Sequence, residues 1–242
     1  MSLQNKTIVI TGASRGLGLE FVKQLSAAGN VVFAGARHPD QSKELQELAQ
    51  KCDKVHPLVL DISEDASIQK AVEEVSQKAH EGIDILINNA GKAGPKKTAT
   101  DTERDEFIDV LDTNVVSVAR NIKFFLPLLQ KRGKDHLKKI LNVSSIAGSM
   151  EHREEQGSDS MVAYATSKAA LNMMIKAVAN QLKEDNVVVF LAHPGWVATD
   201  MGGDKAPVQP QDSIRGLLKV LNDVTTKDNG KFYDYKGKQV KW

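Results

Sequence analysis

The chain has 242 residues, 41% hydrophobic and 26% charged, a balance that suits one globular domain with a sizeable core. With 32 basic and 31 acidic residues the net charge is +1, so nothing in it calls for nucleic acid or an anionic membrane as partner. A single cysteine, Cys52, excludes an intramolecular disulfide, and no apolar run reads as a secretory signal or a bilayer span, so a cytoplasmic protein is expected.

Residues 7–11 (TIVIT) read as a short, β-branched, buried strand. A glycine-rich turn follows at once. Residues 19–28 have helical spacing, with Leu19, Val22 and Leu25 on one face and Gly29 as the stop. The next strand is 31–34. The alternation continues with a helix at 41–52, an extended segment at 55–60 and a helix at 64–79 that turns Ile68, Ala71, Val72 and Val75 inward. A buried strand at 84–87 precedes a long helical stretch, 102–129, with apolar residues from Phe107 to Phe125 at helical spacing. Then come a strand at 137–143, a helix at 161–183, a strand at 187–192, a short helix at 210–222 and an edge strand at 230–235. Residues 147–160 and 195–209 read as longer loops. Strands alternating with helices predict an α/β fold, a mostly parallel sheet covered on both faces, in a single domain spanning 1–242.

The glycine turn runs Gly12-Ala-Ser14-Arg15-Gly16-Leu17-Gly18. Glycines between a first strand and a first helix let backbone approach a pyrophosphate, and the helix N-terminus offers free N–H groups. At the end of the second strand an acidic residue would hold the ribose hydroxyls of NAD. Here Gly35 and Ala36 stand in that place, Arg37 follows, and Arg15 lies in the turn on the same side. Two guanidinium groups suit a 2′-phosphate, so NADP(H) is preferred over NAD(H). Asp61 and Ile62 close the third strand, where Asp61 either bonds an adenine amine or caps the next helix. Asn88-Asn89-Ala90-Gly91 ends the fourth strand, where open α/β sheets bind ligands; the same residues would also make an Asx turn. Asn114 falls inside the apolar stripe of the long helix and needs buried partners. Ser144-Ser145 ends the fifth strand, and no G-x-S-x-G elbow accompanies it. After the sixth strand comes His193-Pro194-Gly195-Trp196-Val197, then Thr199-Asp200. His193, beside a proline at a strand end, reads as structural. The six histidines show no metal-ligand spacing, so no metal is expected.

Tyr164 and Lys168 are four residues apart in AYATSKAAL, on one face of a helix. An ammonium beside a phenol favours phenolate and is expected to lower the tyrosine pKa from about 10. Alone, the spacing is a weak signal, and an isolated Tyr-x-x-x-Lys is usually a solvated surface pair.

Together TGASRGLG, NNAG, Asn114, NVSS, YATSK and HPGWVATD resemble the short-chain dehydrogenase/reductase family, in its order and spacing, across essentially the whole chain. The resemblance implies a Rossmann-type doubly wound sheet of about seven strands and a homodimer or homotetramer. It implies that Tyr164 donates a proton to a carbonyl oxygen and that Ser145 binds that oxygen. Lys168 would lower the Tyr164 pKa and hold the nicotinamide ribose. Asn114 would support a water leading from Lys168 to solvent, and Pro194, Gly195, Val197 and Thr199 would border the nicotinamide. The polar segment before Tyr164 and the short C-terminal stretch resemble the Sniffer-type carbonyl reductases and C-signal-like proteins. That subgroup implies NADPH-dependent reduction of an aldehyde, ketone or diketone. Its alternative is an NADP(H)-binding regulatory or signalling protein with little turnover.

Overall fold

In the computed structural model, residues 3–156 and 159–242 are described; positions 157 and 158 of the predicted 147–160 loop lie outside them. Among the described residues seven strands form one parallel sheet: β1 (Thr7–Thr11), β2 (Val31–Ala36), β3 (Val55–Val59), β4 (Ile85–Asn88), β5 (Lys138–Val143), β6 (Val187–His193) and β7 (Phe232–Asp234). Their order is β3-β2-β1-β4-β5-β6-β7. The chain starts in the middle, winds outward through β2 and β3, then crosses back to β4. The strand order reverses beside β1 and β4, which opens a crevice at their C-terminal ends.

The helices are α1 (Gly16–Ala27), α2 (Lys43–Lys51), α3 (Asp65–Lys78), α4 (Arg104–Leu111), α5 (Ser117–Lys131), α6 (Met150–Gln156), α7 (Val162–Gln181) and α8 (Pro210–Asp223). Strand alternation decides which face each one covers. Ile8 and Ile10 of β1 pack with Phe21 and Leu25 of α1, Leu45 of α2, and Ile214 and Leu217 of α8. Val9, one residue along, joins the opposite cluster with Ile68 of α3, Phe125 of α5, and Leu171 and Ile175 of α7. All these side chains are at most 1% or 0% exposed, apolar area whose burial supplies the main drive for folding.

Two elements differ from the sequence reading. The long helix at 102–129 is interrupted: Asp112–Val116 is a π turn between α4 and α5, where the Ser117 N–H reaches back five residues to the Asp112 carbonyl. The apolar spacing runs through it without a break, so periodicity alone does not reveal the inserted residue. The predicted 147–160 loop contains α6, a polar helix with no apolar stripe to betray it.

Candidate active site

Glycine packing builds the floor of the crevice. Gly12 has φ +66°, and a Cβ there would lie 2.9 Å from the Ala90 Cα, so the first turn and the end of β4 touch through backbone. A Cβ on Gly18 would lie 2.0 Å from the Gly12 carbonyl oxygen. Only glycine lets α1 start this close to the turn. Thr11 and Asn89, which the motifs contain but to which the sequence assigned no role of their own, lock the arrangement. The Thr11 hydroxyl accepts from the Asn89 and Ala90 N–H groups, both at 3.0 Å, and the Asn89 amide donates to the Thr11 and Gly12 carbonyls.

The N-terminus of α1 faces this turn without a side-chain cap or an acidic residue in its first turn. Its first N–H groups and its positive dipole end are therefore open to an anion. Arg15 stands at that end, paired across the crevice with Asp200 at 3.3 Å. The loop after β6 closes over the same place, because a Cβ on Gly16 would meet Thr199 Cγ2 at 3.7 Å. Val197 is buried and bridges Val208, Gly195 has φ +87°, and the Pro194 carbonyl accepts from Ser213. Arg37, just past β2, is exposed and among the described residues has no hydrogen bond or ion pair. Ser42 donates to the Ser14 carbonyl and Leu17 packs on the core, so both belong to the turn's scaffold.

Two positions carry more local duty than the sequence suggests. One oxygen of Asp61 accepts from the Ser63 N–H and hydroxyl in an Asx turn, and Ile62 packs on the core beside it. The Asn88 side chain is committed: it donates to Asn142 Oδ1 at 2.8 Å and accepts from Asn121 at 2.7 Å. Only its backbone is left to face the crevice.

Ser145, Tyr164 and Lys168 come together where β5 ends and α7 begins. The Ser145 hydroxyl faces the Tyr164 phenol closely enough to act on its ionisation, while it also accepts from the Ala147 N–H at 3.1 Å. Lys168 is 5% exposed, lies 5.7 Å from the Tyr164 ring centroid and donates to the Val143 carbonyl at 2.9 Å. Ser144, the other serine of the pair, donates instead to Asn172 and fixes β5 to α7. Asn114 lies in the π turn and 1% exposed; its amide accepts from the Lys92 N–H and donates to the Lys92 carbonyl and to Ser167 Oγ. A Cβ on Gly91 would meet Asn114 Oδ1 at 3.2 Å and Lys168 Nζ at 3.6 Å. Gly91 is therefore the gap through which the β4 loop, the π turn and α7 meet.

The electrostatics depart from the sequence reading. Burial pushes the Tyr164 phenol above its usual value, and the nearby Ser145 hydroxyl pulls only partly the other way. Burial likewise pushes Lys168 down to about 8. The ammonium is bound to the Val143 carbonyl, and in this structure desolvation of the phenol outweighs the expected lowering by the cation.

His193 is neutral for the same reason. Burial lowers it to about 4 against an opposing pull from Asp234, with His152 adding to the lowering, and its Nδ1 has no partner among the described residues. A folded-state value below the unfolded one means stability is present above about pH 6.5 and is lost as pH falls toward 4. We expect His193→Phe to remove on the order of 1–3 kcal/mol of that acid sensitivity, read as a flatter Tm profile between pH 7 and 4.5. A profile unchanged by the substitution would clear His193 of the effect.

Among the described residues no group of three or more His, Cys, Asp or Glu could hold a metal, and no helix is long and apolar enough to cross a membrane. The geometry therefore presents a doubly wound dinucleotide fold with a Ser-Tyr-Lys cluster at its crevice. The short-chain dehydrogenase model matches residues 6–209, and the chain belongs to that family of oxidoreductases. It superposes on an NADPH-bound carbonyl reductase from chicken fatty liver with TM-score 0.93 and 35% identity, covering 99% of this chain and 100% of that one. The carbonyl reductase Sniffer of D. melanogaster gives TM-score 0.92 and 33% identity, over 99% and 100%. C-signal of Myxococcus xanthus is 35% identical over 160 residues, 66% of this chain and 93% of that protein. The Sniffer-type and C-signal-like resemblance is thus borne out.

Proposed function

We propose that this protein reduces an aldehyde, ketone or diketone to an alcohol with NADPH, using Tyr164 as proton donor. The observation that carries the reading is the Ser145–Tyr164 hydroxyl pair at the crevice, beside a buried lysine. Two hydroxyls side by side can both turn to an oxygen that gains negative charge, and a prearranged pair stabilises that charge with little reorganisation. A phenol held above its usual pKa stays protonated at neutral pH, as an acid in the reducing direction must. Lys168 spends one of its N–H donors on Val143, which leaves two for ribose hydroxyls. Asn114, its side chain committed, acts through the loop and helix it ties together beside Lys168.

The residues fit a dinucleotide. The uncapped start of α1 would take the pyrophosphate, with Gly12, Ser14, Gly16, Leu17 and Gly18 supplying backbone. Asp61, Ile62, Asn88, Ala90 and Gly91 would line the adenosine side and Pro194, Gly195, Val197 and Thr199 the nicotinamide side. Bound NADPH supplies the hydride. Arg15 and Arg37 would read the 2′-phosphate, since no acidic residue occupies the end of β2 and the carbonyl reductase from chicken is NADPH-bound. Exposed Ile108, Val116 and Met173 on α4, the π turn and α7 support a homodimer or homotetramer.

The test is oxidation of NADPH and NADH over a panel of carbonyls, with wild type and Arg37→Asp. NADPH should be consumed, and Arg37→Asp should weaken NADPH about 100-fold while changing NADH little. Equal losses for both cofactors would remove Arg37 from phosphate recognition. Tight NADPH binding without turnover of any carbonyl would favour a regulatory protein.

A further inference from the structure

The stretch 232–242 does more than add an edge strand. After β7 the chain turns at Gly237 and runs back: the Val240 N–H donates to the Phe232 carbonyl at 2.8 Å, and Tyr233 bridges Gln239 antiparallel. This return carries Lys241 and Trp242 to α6. The Glu151 N–H donates to Trp242 O at 3.2 Å, and Lys241 Nζ pairs with the Glu151 carboxylate. The Trp242 ring stacks on fully buried Phe232, centroids 6.0 Å apart, while Lys176 Nζ of α7 sits 6.0 Å from its centroid.

α6 needs such a hold. Its other ties are to its own neighbours in sequence: Arg153 N–H to the Ser149 carbonyl, His152 N–H to Ser149 Oγ, and the Arg153 guanidinium to the Ser160 carbonyl. Among the described residues, its hydrogen bonds and ion pairs to distant parts of the chain all go to Lys241 and Trp242. Its beginning, by contrast, is joined to the reacting groups. The Ile146–Gly148 turn after Ser145 lies so close to α7 that a Cβ on Gly148 would meet the Lys168 carbonyl carbon at 2.6 Å. The Asn172 amide also donates to the Gly148 carbonyl. A helix seven residues long is too short to hold its own shape in water, so its place beside the Ile146–Gly148 turn depends on these outside contacts.

We propose that Lys241 and Trp242 are positioning residues: they fix α6 as a wall of the Ser145–Tyr164 site and so set the affinity for the carbonyl substrate, not for the dinucleotide. This rests on the carbonyl-reductase reading above. Trp242 is 40% exposed, the Lys241 side chain is 77% exposed, and neither is a member of the two buried clusters.

The test compares wild type, Trp242→Ala, Lys241→Glu and the charge swap Lys241→Glu with Glu151→Lys, in the full chain. For Trp242→Ala and Lys241→Glu, KM for a carbonyl should rise about five- to tenfold with NADPH Kd unchanged. The charge swap should return KM toward wild type. Backbone amide exchange of residues 150–156 in the NADPH-bound protein should quicken in the single variants, with β1 and β4 unaffected. An unchanged KM, an unchanged exchange rate, or an equal loss of NADPH affinity would overturn the proposal. If wild type turns over no carbonyl, the carbonyl-reductase reading fails, and the exchange rates alone uphold or overturn the anchoring.

Discussion

Tyr164→Phe should bind NADPH as wild type does and lose about 1,000-fold or more in carbonyl turnover. The substitution removes one oxygen and keeps the ring, so the packing of α7 on β5 survives. What disappears is the hydroxyl that faces Ser145. Ser145 can still donate to a substrate oxygen, so substrate affinity should fall little and the loss should appear in kcat. A donor missing only in the transition state has that signature. Because burial raises the Tyr164 phenol and lowers Lys168 to about 8, the two groups leave different marks on pH. Reduction should weaken as pH rises through about 8, where Lys168 loses its charge, while Tyr164 is still protonated. Lys168→Arg, if it folds, should carry that alkaline limb upward, because a guanidinium stays charged. An unchanged rate in Tyr164→Phe would take the phenol out of the mechanism.

The parts of this site that were legible in the sequence are those whose cause is local. A glycine turn between a strand and a helix has a conformational reason at each position, as the φ of +66° at Gly12 illustrates. The i, i+4 spacing put Tyr164 and Lys168 on one face whatever surrounded them. Strand and helix alternation gave the sheet, with boundaries within a few residues. What stayed hidden was set by distant residues. The π turn is one; the apolar stripe from Phe107 to Phe125 is compatible with either hydrogen-bond register. Asn88 is another. Its partners Asn121 and Asn142 come from α5 and β5, 33 and 54 residues away, and no local pattern announces a chain of buried amides. α6 lies in a polar run that reads as loop, and its hold comes from residues ninety positions on. The Tyr164 pKa is the sharpest case. Spacing showed a cation near a phenol, but burial decides the direction, and burial cannot be read from nine residues.

Lys168→Met should abolish turnover and, at pH 7, make the protein more stable. An ammonium buried with one hydrogen bond is held at a cost, which appears as the fall of its pKa from 10.5 to about 8. Methionine is similar in length and apolar, so it fills the same space without that cost. It also leaves the Val143 carbonyl without its donor, which offsets part of the gain. The net expectation is on the order of 1–2 kcal/mol, a few degrees in Tm for a chain of this size. The sign follows from the protons bound. Below about pH 8 the lysine is charged both folded and unfolded, and the whole cost is carried by the folded state. Between about 8 and 10.5 the folded state has released its proton while the unfolded chain keeps it, so wild type gains stability as pH rises. The advantage of Lys168→Met should therefore be full at pH 7 and fade toward 10.5. A substitution that stabilises while it destroys activity is what a group kept for chemistry rather than for folding produces. The same substitution destabilising the protein at pH 7, without a pH-dependent crossover, would mean that Lys168 serves the fold first.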